Sequence, residues 1–143
     1  MTNTENIFFI THVFSCFFMT GVIWIVQLLV YPFFKMVGKN EFHPLHQFHM
    51  QKITWVVAPV MTVELLTGLY LLILSPELLF IFNFVSVGIL WLLTALINVP
   101  THNHLNAESE ASKTNLVLRN WPRTIIWTIR SIFLILVMVM PRG

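Results

Sequence analysis

Histidine is concentrated in two short segments of this chain: His46 and His49 stand three residues apart, and His102 and His104 flank Asn103. On a helix, residues three apart share a face, so His46 and His49 could hold one metal ion or two neighbouring ones. With His102 and His104 they supply the three or four imidazoles that suit a non-haem iron, copper or zinc site, with iron as the expected ion. Haem held by histidines on different helices is the alternative cofactor. Hydrogen bonds to a substrate or to the interface are the plainer reading. His43 precedes Pro44 and reads as a loop residue, and His12 as an interfacial residue at the far end of the first apolar run.

A second group of chemical residues lies where hydrocarbon should reject them: Gln27 and Tyr31, Glu64, Asn98, Arg123 and Arg130 all interrupt long apolar stretches. Such groups face one another or a wet cavity, because an isolated amide or charge in lipid is expensive. Glu64, Arg123 and Arg130 are the candidate catalytic residues. Arginines can orient an oxygen and stabilise charge on it, and a buried carboxylate can hold or relay a proton. Two bland readings stand beside this. Glu64 and Arg130 could pin two helices together, and Arg119 and Arg123 could meet lipid phosphate.

The elements that position these residues follow from composition. The 143 residues are 57% hydrophobic and 10% charged, with mean hydropathy +0.78, which is outside the range of soluble domains. The expected fold is all-α: a single integral membrane domain, 1–143, built as a four-transmembrane-helix bundle with short loops. Crossings are predicted near 10–34, 50–74, 78–99 and 122–140, each close to the roughly 20 residues that span hydrocarbon, with the first helix expected to stop at Tyr31-Pro32 and the third at Asn98-Val99-Pro100. The polar stretch 100–121 predicts a loop carrying a short interfacial helix over about 108–117. Lys35, Lys39, Lys52, Lys113, Arg119 and Arg123 fall on one side of such a bundle. The positive-inside rule makes that side cytoplasmic and puts both termini outside, with no cleaved leader. The net charge of +2 is then a matter of topology, and no nucleic-acid partner is expected.

Helical spacing gathers the polar groups. His46 and Glu64 are five turns apart and point the same way, Arg123 and Arg130 nearly eclipse, and Trp91, Asn98 and His102 share a line. Glu64 comes about 16 Å deep and Arg130 about 12 Å, so the two can pair. The expected shape is a polar funnel open to the cytoplasm, with Glu64 and Arg130 at its floor and the histidines at its rim. Gln27, Tyr31, Trp91, Asn98, Asn120 and Trp127 are the candidate cofactor- or ligand-binding residues along its wall. Cys16 reads as a small hydrophobe. Gly21, Gly68 and Gly88 permit close helix crossings, and a homodimer is a possible assembly.

The segments Tyr31-Pro32-Phe33-Phe34, 42–49, Asn98-Val99-Pro100-Thr101-His102 and 120–130, together with Glu64, resemble the small four-crossing membrane proteins grouped as anthrone-oxygenase-like. The likeness runs over nearly the whole chain. It implies that His46, His49, Glu64, His102, Asn120, Arg123, Trp127 and Arg130 are the residues to watch. Leu45 stands where that pattern has a tyrosine, and Pro122 where an aliphatic residue is commoner, so one possible phenolic donor is missing. The expected function is a metal-dependent membrane oxidoreductase or oxygenase acting on a small hydrophobic aromatic or polyene substrate drawn from the lipid. A haem-binding electron-transfer or porphyrin-handling protein, and a small-ligand membrane transporter or binding protein, are the alternatives.

Overall fold

Thr2 starts the first helix with a reciprocal cap. Its hydroxyl accepts from the Glu5 N–H at 3.3 Å, and its own N–H donates to Glu5 Oε2 at 2.9 Å, which satisfies two donors that a helix start leaves open. From there a computed structural model, describing residues 2–103, 105 and 109–139, follows four long apolar helices. We number them α1 (Asn3–Met36), α2 (Lys39–Leu74), α3 (Leu78–Asn103) and α4 (Glu110–Val139). All four are long and apolar enough to cross a membrane. At 1.5 Å per residue α2 is about 54 Å long, well beyond the roughly 30 Å of hydrocarbon, so its Lys39 end extends past one membrane face.

Proline placement explains the irregular backbone. A wide π-turn at Val26–Val30 precedes Tyr31-Pro32, and a second at Thr94–Asn98 precedes Val99-Pro100. A proline ring clashes with the carbonyl four residues back and supplies no N–H. The wider turn removes the clash: Tyr31 N–H bonds to Val26 O, and Val99 N–H to Thr94 O. Thus α1 continues through Pro32 to Met36, where sequence predicts a stop at Tyr31-Pro32. The two π-turns also carry Gln27 and Asn98, which are buried.

Of the interfacial helix predicted over 108–117, residue 108 lies outside the described residues, and from Glu110 on it forms the first turns of α4, which passes through Pro122 without a break. Lys113, Leu116 and Asn120 are buried, and this packing outweighs the roughly 3 kcal/mol that an interior proline costs.

Around the bundle, α1 packs on α2 and α4, and α3 packs on the same two, so the helices form a ring in chain order. Met19 and Ile23 of α1, Met61 of α2, Leu90 of α3 and Trp127 of α4 meet in the main core. A second core at the Lys/Arg-rich end, here the basic end, joins Val26, Tyr31, Phe34, Phe42 and Leu116. Outward positions such as Ile10, Leu29, Leu96 and Ile132 are exposed and apolar, as a lipid-facing surface requires.

Candidate functional site

Three polar assemblies lie inside this frame, at different depths. The first is a wall of amides joining α1, α3 and α4. Asn120 donates through Nδ2 to Gln27 Oε1 at 2.8 Å, and its Oδ1 accepts from Asn98 Nδ2 and Arg123 Nη1, each at 3.3 Å. Thr124 adds a hydroxyl donated to Gln27 Oε1 at 3.2 Å, and Gln27 Nε2 donates to Val117 O at 3.2 Å. Asn120 is the hub. It is fully buried and touches partners on three helices, so it sets their rotation relative to one another.

That wall backs a cavity of about 200 Å³. Most of its lining is apolar, with Met19, Ile23 and Met61 among it, while Tyr31, Asn98, His102 and Arg123 supply polarity toward the basic end. Thr54 and Ala58 of α2 also line it and are exposed, as is Val99 of α3. The chamber therefore opens sideways between α2 and α3, through small or short side chains. Several polar atoms beside it lack a hydrogen-bond partner among the described residues: Arg123 Nε, Trp91 Nε1 and Asn98 Oδ1. Arg123 is 7% exposed, and among the described residues no carboxylate pairs with it, Glu64 being engaged by Arg130. A buried guanidinium without a counter-charge makes the chamber electropositive.

The second assembly is a chain of rings. Tyr31 Oη lies 2.9 Å from His102 Nε2, and His102 Nδ1 lies 2.9 Å from His46 Nε2. Phe42 stacks on His46 with centroids 5.7 Å apart, and Phe34 meets the same imidazole edge-on at 5.6 Å. His49 stands beside the chain, with its ring edge-on to Tyr31 and Phe34, and lines the chamber. Among the described residues no group of three or more His, Cys, Asp or Glu side chains is placed to hold a metal ion. His104 lies outside the described residues. His46 Nε2 and His102 Nδ1 face each other at hydrogen-bond distance and are joined to Tyr31 through the second His102 nitrogen.

The third assembly is the deep ion pair. Arg130 Nη1 lies 2.6 Å from Glu64 Oε1, with both side chains fully buried, and the Trp127 ring covers the guanidinium at 5.0 Å. The pairing expected from helical depth is present, but it is not the chamber floor. Met19, Ile23 and Met61 form that floor, and Glu64 sits one turn beyond Met61, about 4.5 Å further along α2. The apolar side chains between them are long enough to close the channel that a continuous polar stripe implied.

Trp91, Asn98, Tyr31 and Arg123 thus line the chamber, Gln27 and Asn120 stand behind it, and Trp127, Glu64 and Arg130 belong to the deep pair. His12 corrects the interfacial reading. It is 1% exposed, with Nδ1 3.1 Å from Thr67 Oγ1, and its ring lies 3.1 Å from where a Cβ on Gly68 would stand. The glycine opens the space that the imidazole fills. A helical stripe through His12, Ser15, Met19, Ile23 and Gln27 carries the signal that it faces inward. Cys16 is buried as expected, with Sγ 3.6 Å from Ser131 Oγ. No family model, curated protein or solved structure matches the chain.

Proposed function

We propose that the protein binds a small lipid-borne molecule whose single aromatic ring carries an electron-rich oxygen, and that the ring enters the chamber sideways from the membrane between α2 and α3. The observation that carries this reading is Arg123: a buried guanidinium without a carboxylate partner, at the polar end of an otherwise apolar cavity. A phenolate, quinone carbonyl or ring carboxylate complements that charge, and Tyr31, Trp91 and Asn98 in the same lining supply further hydrogen-bonding groups. Volume narrows the class. An apolar cavity of about 150 Å³ takes benzene, so about 200 Å³ suits one substituted ring, with any tail trailing through the opening into lipid. A porphyrin is several times too large for the enclosed space, which favours the small-ring reading over a haem protein. Oxidation of the ring with dioxygen as the electron acceptor is the enzymatic form of this proposal, in line with the anthrone-oxygenase-like resemblance.

Binding of 4-nitrophenol bearing a short alkyl chain, by protein in lipid nanodiscs, tests the reading, because the colour of the probe reports its protonation. Saturable binding is expected, with enrichment of the yellow phenolate relative to empty nanodiscs. Arg123→Met should weaken it roughly 10- to 100-fold, the equivalent of about 1.5–3 kcal/mol for a hydrogen bond to a charged group. Equal affinity in the variant overturns the proposal.

A further inference from the structure

Only two proton arrangements satisfy the chain Tyr31–His102–His46. A neutral imidazole has one N–H and one bare nitrogen. If His102 carries its proton on Nε2, it donates to Tyr31 Oη and must accept at Nδ1 from His46 Nε2–H. If it carries the proton on Nδ1, it donates to His46 Nε2 and accepts from the Tyr31 hydroxyl. Both contacts are 2.9 Å, so the three groups switch together. The chain also has two ends in different surroundings. Tyr31 and His102 line the chamber and are 3% and 8% exposed, whereas His46 is half-buried at the basic end and does not line the chamber. Phe34 and Phe42 flank His46 with apolar ring faces, which offer no competing strong donor.

We propose that Tyr31, His102 and His46 form a single-file proton path between the ring oxygen bound in the chamber and the water at the basic end. One transfer balances as follows. The ligand oxygen takes the Tyr31 hydroxyl proton, Tyr31 takes the proton of His102 Nε2, His102 Nδ1 takes that of His46 Nε2, and His46 Nδ1 takes one from water. No oxidant enters and no charge stays on the chain. The reverse sequence removes a proton from a phenol. Tyr31 is the contacting group, and His102 and His46 act through it. The proposal rests on the chamber reading for its ligand, but the hydrogen-bonded chain is a property of the protein alone.

Two measurements test it. In ¹⁵N-histidine-labelled protein, a scalar coupling across the hydrogen bond between His46 Nε2 and His102 Nδ1 is expected, with His102 shifts averaged between two tautomers and collapsing to one tautomer in Tyr31→Phe. Absence of the coupling in the wild-type protein, or a single static His102 tautomer, overturns the path whether or not any probe binds. An equimolar zinc or iron ion lost in His46→Gln also overturns it. In the second, alkylated 4-nitrophenol bound in the chamber is followed after a pH jump. His46→Gln is expected to bind the probe as tightly as wild type yet to slow its protonation roughly 100-fold, within the range for loss of positioned acid–base groups. Unchanged protonation kinetics overturn the path. Failure of the probe to bind overturns the chamber reading, and the tautomer measurement then decides the path alone.

Discussion

Glu64 and Arg130 form an ion pair with no exposed surface on either side chain, and removing one partner should destabilise the bundle about as much as truncating a large core residue. Glu64→Leu leaves the Arg130 guanidinium in the core with the Trp127 ring at 5.0 Å as its remaining electrostatic partner. A desolvated cation–π contact returns only about 2 kcal/mol, while stranding one member of a buried pair costs about 3–5 kcal/mol. The unfolded fraction should therefore rise roughly 10²- to 4 × 10³-fold. Arg130→Met strands the carboxylate and should cost a similar amount. The double variant removes both charges with little change in volume, and should return to within about 1 kcal/mol of wild type, because an apolar replacement also removes the desolvation cost. Equilibrium unfolding of the four proteins in mixed micelles, followed by total tryptophan emission, closes the double-mutant cycle. A coupling of at least about 3 kcal/mol is expected. Single losses below about 1 kcal/mol, or a double variant that is the sum of the two singles, would refute the claim that the pair stabilises the core as a unit.

Two further outcomes follow from the packing. Asn120→Leu deprives Asn98 Nδ2 and Arg123 Nη1 of their common acceptor and should cost about 3 kcal/mol in the same unfolding assay, since each stranded buried polar group costs about 1–3 kcal/mol. Gly68→Ala brings a Cβ to 3.1 Å from His12 Cε1, an imidazole already held by Thr67, and should lose about 1 kcal/mol. Gly21→Ala and Gly88→Ala meet nothing within 4 Å and should gain up to about 1 kcal/mol from helix propensity, so a matching loss at all three positions would contradict the packing described.

What the chain alone determined is the class of the fold and the inward direction of most polar groups. Four apolar runs of membrane length leave no other architecture, since lipid supplies no partner for a bare backbone. The helical repeat then puts Glu64 and Arg130 at matching depths, where they do meet. The resolution of that reading is about one helical turn. It could not distinguish one polar funnel from three separate assemblies, because Met19, Ile23 and Met61 close the floor from two different helices. Nor could it see that Pro32 and Pro100 induce π-turns instead of helix ends, because the cost of a proline is decided by whether neighbouring helices bury the turns on either side. His12 shows the same limit: its place depends on the space left by Gly68, fifty-six positions away in the chain. Periodicity along a helix is local and is written in residue order. Which side chains fill the gap between two helices depends on their mutual rotation and offset, and those are settled only when the hub at Asn120, the ion pair and the core are satisfied together.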